Sequence, residues 1–169
     1  MGYVQDTKMS QIIPVSHMIL TAGTWTMTVA SNVCIHTRTA AAATFNALVP
    51  IPIPQNYVAL KGARLLSVDF LWKNATADLN SVTTVEIEKV AMAANTVAPT
   101  GAALACTIDA SNDTTAKRIT QAQHTLNISP TAPEWLDSAY AYWLYMTFDA
   151  AATSALILYG ARANYLLRL

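Results

Sequence analysis

Apolar and polar positions alternate with period two along most of this chain, the spacing of strands whose side chains point by turns to opposite faces of a sheet. The alternation begins after Gly23, where Trp25, Met27 and Val29 oppose Thr24, Thr26 and Thr28 in a half-buried strand. It restarts beyond Ser31 and Asn32 with Val33, Ile35 and Thr37 opposed to Cys34, His36 and Arg38, which predicts a hairpin with a short polar turn. The Ala40–Ala43 run breaks the pattern, and Phe45, Ala47, Val49, Ile51 and Ile53 then resume it. Pro50, Pro52 and Pro54 lie between those apolar positions and lack a backbone donor, so this stretch reads as an edge strand or an extended arm.

The next strand is Ala63–Lys73, with Leu66, Val68, Phe70 and Trp72 on the core face and Leu65, Ser67, Asp69 and Leu71 on the other. In Val82–Met92, Val85 and Ile87 oppose Glu86 and Glu88, and Ala93–Gly101 reads as a loop. Leu104, Cys106 and Ile108 form a short strand that runs into the turn formers Asp109–Asp113. Thr114–Gln123 can make one or two helical turns with Asp113 as N-cap. His124, Leu126 and Ile128 mark another strand, stopped by Pro130 and Pro133.

The last third reads as a hairpin, Ala139–Phe148 and Ala155–Leu167 around the turn Asp149–Ser154, with apolar residues on both faces of both arms. Tyr140, Tyr142, Leu144, Met146 and Phe148 lie opposite Trp143 and Tyr145, and Leu156 and Leu158 lie opposite Ile157, Tyr159 and Tyr165. A strand of an antiparallel sandwich needs one apolar face, so the second face predicts a cover, for which a partner subunit is the economical candidate. Tyr142, Trp143, Tyr145, Ile157 and Tyr159 are the residues expected at that interface, because aromatic side chains dominate buried subunit contacts.

About eight to ten strands with almost no helix predict an all-β fold, an antiparallel β-sandwich of jelly-roll-like plan. Its single domain spans 23–169, and residues 1–22 precede it as an N-terminal arm or edge strand. Charge sharpens the picture. Among 169 residues, 10 Lys and Arg balance 10 Asp and Glu, and charged side chains make up 12% of the chain where about 25% is usual. With a mean hydropathy of +0.31, that composition argues against disorder and against a basic nucleic-acid-binding surface. No apolar run approaches the ~20 residues of a membrane-spanning helix. Met1–Ser16 carries Asp6 and Lys8 and lacks the apolar core of a signal peptide. The expected partners are therefore copies of the same chain, with neither nucleic acid nor membrane.

Candidate chemistry is sparse. His17, His36 and His124 have no metal or triad spacing. Cys34 and Cys106 read as two buried free thiols, with a disulfide across the sandwich as the alternative. Glu86 and Glu88 share a strand face at roughly 7 Å, between the separations of retaining and inverting glycosidase carboxylates, and otherwise form the wet side of a strand. Asp109, Asn112 and Asp113 offer oxygen ligands in one loop, without the Gly and distal Glu of an EF-hand. Asn74, Asn112 and Asn127 match the glycosylation triplet. Trp25, Trp72, Trp135 and Trp143 invite a carbohydrate-stacking reading, while Trp72 shares the core register. With no phosphate loop, nucleophile elbow or Cys-x-x-Cys pair, the chain is expected to be neither an enzyme nor a cofactor carrier.

From Leu65 to Leu167 the order of features resembles small β-sandwich structural proteins of tailed phages and other viruses. The likeness rests on Leu65-Leu66-Ser67-Val68-Asp69-Phe70, Pro133-Glu134-Trp135-Leu136-Asp137, Tyr140-Ala141-Tyr142-Trp143-Leu144 and Tyr159-Gly160-Ala161-Arg162. That resemblance implies a self-assembling, non-enzymatic virion component of capsid, capsid-decoration or fibre type. It would be trimeric, assembled in the host cytoplasm beside other virion subunits, with an N-terminal arm docked on a neighbour. The alternative is a carbohydrate-binding β-sandwich module, motivated by the tryptophans and the Thr- and Asn-rich surface.

Overall fold

The computed structural model describes residues 6–55, 62–92, 100–132 and 134–168. Its strands are β1 (Asp6–Ile13), β2 (Ile19–Leu20), β3 (Trp25–Ala30), β4 (Val33–Arg38), β5 (Ala43–Pro50), β6 (Gly62–Asn74) and β7 (Ser81–Ala91). They continue with β8 (Gly101–Ala103), β9 (Cys106–Ile108), β10 (Gln123–Pro130), β11 (Glu134–Trp135), β12 (Tyr140–Ala150) and β13 (Leu156–Arg168). Helix is confined to a 3-10 turn, Val15–His17, and the five-residue α1, Thr115–Ile119. Eight strands form one antiparallel sheet in the order β3-β4-β13-β6-β10-β9, with β1 also on β13 and β11 also on β6. The other five form a second sheet, β2-β5-β12-β7-β8. The chain is an all-β antiparallel sandwich.

The core lies between the sheets and follows the period-two pattern. On β5 and beyond it, Phe45, Ala47, Val49, Ile51 and Ile53 are buried, and on β12 so are Tyr142, Leu144, Met146 and Phe148. They meet Val68, Phe70, Trp72, Leu126 and Ile128 of the larger sheet. Phe45 stacks on Phe148 with centroids 5.2 Å apart, and Trp72 meets Phe148 edge-on at 6.2 Å. The prolines after Val49 do not make β5 a bare edge, since it pairs with β12 along its length and with β2 at Ala47 and Leu48.

The thirteen-residue strands β6 and β13 each serve two partners along one edge. Beyond β6, β13 pairs with β4 at Leu156–Leu158 and with β1 at Ala161–Arg168. The register against β6 slips between Leu158 and Gly160, so Tyr159 is the extra residue of a bulge. A second slip, between Asn164 and Tyr165, puts Leu65 in the core and leaves Leu66 half-buried, which corrects the expected face of β6 at that end.

Three further expectations need correction. β12 and β13 are not a hairpin, because the turn between them carries the chain from one sheet to the other. Each buries one face in the shared core and turns the other, partly apolar face outward from its own sheet. The β3–β4 hairpin does form, with Ser31 and Asn32 at positive φ in its two-residue turn. Its strand β3 is exposed on both sides, however, with Met27 and Val29 at 55% and 74%. Residues 1–22, read as an arm or edge strand, hold in their described part the edge strands β1, along β13, and β2, on β5, with Ile13, Val15 and Met18 in the core. The short helix begins at Thr115, with Thr114 rather than Asp113 at its N-cap. Most of the expected loop over 93–101 falls on residues 93–99, outside the described set, and Gly101 opens β8.

Candidate functional site

Because even-numbered positions of β12 point into the core, the odd-numbered ones, Trp143, Tyr145 and Thr147, stand half-buried on the outer face of the five-stranded sheet. The registers place a row beside each. Trp143 stands between Pro50 of β5 and Glu88 of β7, and Tyr145 between Leu48 and Glu86. Thr147 stands between Asn46 and Thr84, and its hydroxyl donates to Asn46 Oδ1 at 3.1 Å. Two rings, two carboxylates and an amide thus share one sheet face along about three rows.

Burial pushes the Glu88 carboxyl above the ordinary glutamate range, helped by the charge of Glu86 and a hydrogen bond with it. Gly101 of β8 leaves the space Glu88 occupies, since a Cβ there would overlap the carboxylate. Glu88 therefore offers oxygens that hold a proton more readily than a free glutamate's do.

At the Trp143 end this face opens into a cleft of about 380 Å³. Trp143, Tyr140, Pro50 and Pro52 wall it, and Gln55 and Ser138 supply its polar groups. Gln55 Nε2 donates to the Tyr140 carbonyl at 3.0 Å, and the buried Ser138 hydroxyl has no partner among the described residues. Beneath the cleft, Lys89 Nζ lies 2.8 Å from Glu134 Oε1, and the Tyr142 hydroxyl donates to the same oxygen at 3.1 Å.

The five residues expected to form one interface do not form one surface. Tyr142 is 2% exposed in the core, Trp143 and Tyr145 lie on the smaller sheet, and Ile157 and Tyr159 lie on the larger one. Of the other tryptophans, Trp72 is fully buried. Trp25 donates to the Ala22 carbonyl at 3.0 Å and meets Phe45 edge-on, and Trp135 lies under the Arg168 guanidinium at 4.8 Å. Trp143 remains as the tryptophan beside open space.

The histidines, cysteines and turn acids form no site. His124 stacks on Trp72 at 4.8 Å with Nε2 at 2.9 Å from the Thr120 carbonyl, while His17 is exposed and distant. Cys34 is exposed and Cys106 half-buried, both free thiols rather than two buried ones. Asp109 accepts from Ser111, Asn112 and the Asn127 backbone, and Asp113 pairs with Lys117 at 2.7 Å, so the loop's oxygens are engaged in the turn itself. Among the described residues no cluster of three His, Cys, Asp or Glu side chains could hold a metal ion. Asn74 and Asn112 are 0% and 3% exposed, which closes those two glycosylation triplets. Sequence reading missed Asn46, Thr147, Gln55 and Ser138. The i, i+2 spacing of Trp143, Tyr145 and Thr147 was visible, but the strands flanking them were not.

No protein-family model and no curated protein matches the chain. Solved structures similar in fold include two carbohydrate-binding modules. One is a low-affinity xylan-binding module, CBM86, from Roseburia intestinalis, at 13% identity and a TM-score of 0.38, covering 95% of this chain and 96% of that one. The other is a family 11 carbohydrate-binding module from Clostridium thermocellum in complex with a β-1,3-1,4-mixed-linked tetrasaccharide, at 6% identity and a TM-score of 0.39, covering 96% and 89%. The expectation of a self-assembling virion component is corrected by these findings. Both of these structures are carbohydrate-binding modules and neither is a particle protein. The hairpin on which that expectation rested is also not formed, because the two strands lie in opposite sheets.

Proposed function

We propose that the chain is a non-catalytic carbohydrate-binding module that holds a neutral glycan on the outer face of its five-stranded sheet. The observation that carries this reading is the double position of Trp143, which walls the cleft and stands directly across from Glu88. A sugar ring has an apolar face of C–H groups and a rim of hydroxyls. The apolar face lies well on an aromatic ring, whose edge and face carry opposite partial charges. The hydroxyls then find carboxylate acceptors in Glu88 and Glu86, and an amide in Gln55.

The same acids set the ligand class. Two neighbouring carboxylates repel a uronate or a sulfated sugar, and neutral residues meet no such cost. Tyr145 lies one row beyond Trp143, so the platform suits a chain of linked sugars rather than a single ring. Binding to an open, half-exposed face costs little reorganisation and gains little area, which favours weak and reversible attachment.

Affinity electrophoresis and calorimetry against neutral, uronate-bearing and sulfated polysaccharides test the reading. Retardation by one or more neutral glycans is expected, with Trp143→Ala weakening it about tenfold, ~1.4 kcal/mol, and leaving thermal unfolding unchanged. A flat response across the panel, or full binding by a Trp143→Ala, Tyr145→Ala double variant, would overturn it.

A further inference from the structure

We infer that the eight-stranded sheet carries a second, smaller sugar site on its own outer face, which would let one copy of this chain bridge two glycan chains. The inference rests on the glycan-binding reading above but on different residues. Along the outer edge of β13, β4 stops at Leu158 and β1 ends opposite Ala161, so Tyr159 and Gly160 face a gap between the two strands. The bulge at Tyr159 widens that gap. A cleft of about 260 Å³ opens there, with Ile12, Leu71 and Tyr159 as apolar walls and Thr125, Asp69 and Arg162 as polar ones.

Gly160 keeps the backbone bare at this point. Its φ of +139° is one that side chains rarely adopt, and a Cβ would come within 3.2 Å of the Ile13 carbonyl oxygen. Ile12, 69% exposed, is an apolar side chain turned to water beside the opening. Exposed apolar groups beside a cleft are common where a ligand covers them.

The polar wall is built before any ligand arrives. Arg162 reaches Asp69 Oδ2 with Nε at 2.9 Å and Nη2 at 2.7 Å, and Asn164 Nδ2 donates to the same oxygen at 3.1 Å. Asn127 Nδ2 holds the other oxygen at 2.5 Å. Burial pushes the Asp69 carboxyl up, but these donors together with the Arg162 charge outweigh it and hold the group below the ordinary aspartate range. A fixed carboxylate beside a half-exposed guanidinium matches two adjacent hydroxyls, one donating to Asp69 and one accepting from Arg162. With an apolar ring face against Tyr159 and Ile12, the ligand class is a single pyranose with a vicinal diol. The volume, just under the ~300 Å³ where pockets for larger ligands begin, fits one ring.

The two sites lie on opposite outer faces, separated by two sheets packed about 10 Å apart. Short glycans would fill them independently, and long ones would be cross-linked. Native mass spectrometry with a glycan that binds wild type, and turbidity of the matching polysaccharide, test this on the full chain, with light scattering establishing the mass. Expected are two ligands per chain, falling to one in Tyr159→Ala and in Ile12→Trp, the latter plugging the cleft from an exposed position. Both variants should lose cross-linking at unchanged mass and keep the Trp143-dependent retardation. Saturation at one ligand per chain, or unchanged stoichiometry in both variants, overturns the second site and leaves the first standing. Absence of binding by wild type to every glycan sinks both.

Discussion

Lys89 and Glu134 join the two sheets, the ammonium on β7 lying 2.8 Å from a carboxylate on β11. Both side chains are about three-quarters buried, at 27% and 20% exposure, and Lys89 also lies 4.3 Å from the Tyr140 ring centroid. Burial pulls the Lys89 ammonium down, but Glu134 and Tyr142 outweigh it and raise the group above the ordinary lysine range. The raised folded value means the contribution is complete at neutral pH and is lost as pH climbs through it. Replacing Lys89 with Met should destabilise the fold by about 1–3 kcal/mol, the worth of a hydrogen bond to a charged group. Denaturant unfolding of Lys89→Met, Glu134→Gln and the double variant measures the coupling, and a value near zero would show the pair to be incidental.

Glu88 has a linkage of the same sign, acting in a lower pH range. Its folded value is raised, so between the unfolded and folded values the native state binds more protons than the unfolded one, and stability from this group grows as pH falls. At neutral pH the crowded carboxylates cost stability instead. Glu88→Gln should therefore stabilise the fold at pH 7 by a few tenths to ~1 kcal/mol and erase the gain on mild acidification. Urea unfolding of both proteins across that pH range checks the sign. A variant less stable than wild type at pH 7 would show that Glu88 is held by contacts its crowding does not outweigh.

How far the sequence leads is clear from particular residues. Phe45, Ala47, Val49, Ile51 and Ile53 announced a buried face and are buried, because period-two patterning records directly which side of a strand meets water. Glu86 and Glu88 were correctly placed on one outer face for the same reason. Pairing is another matter. Whether β12 turns back on itself or crosses to the other sheet depends on the geometry of Ala151–Ala155, and the pattern on either side is identical in both cases. The cleft over Tyr159 was unreadable too, since it exists only where β4 and β1 leave a gap on the same edge of β13.

Two buried arginines make a contrasting pair. Arg118 directs Nε to the Asn112 carbonyl at 2.6 Å and Nη2 to the Asp113 carbonyl at 3.0 Å. Arg38, 0% exposed, donates from Nη2 to the Ala41 carbonyl at 3.0 Å and lies 4.6 Å over the Phe45 ring, while its Nε and Nη1 lack partners among the described residues. An incompletely satisfied buried charge is costly, and an apolar side chain of similar volume often does as well or better. Arg38→Met should leave stability unchanged or raise it by about 1–4 kcal/mol. Arg118→Met should lower it by about 1–3 kcal/mol, because the Asn112 carbonyl is then left buried without its donor. Thermal melts of the two variants decide the matter, and equal losses in both would refute the contrast.

Gly160 fixes the bulge that opens the edge of β13. Its positive φ is cheap for glycine and strained for any residue with a Cβ, and the Ile13 carbonyl stands in the way of one. An alanine would have to move the backbone toward ordinary strand geometry, pulling Tyr159 into register with β6 and shifting every residue after it by one. That slip would turn Ala161, Ala163 and Tyr165 out of the core, so the chain should keep the bulge and accept the strain. Gly160→Ala is expected to cost about 1–3 kcal/mol with the strand content unchanged. Circular dichroism and denaturant unfolding test this together. Wild-type stability in the variant would mean that β1 moves aside easily, and the gap between β1 and β4 would then be set by the ends of those strands rather than by the bulge.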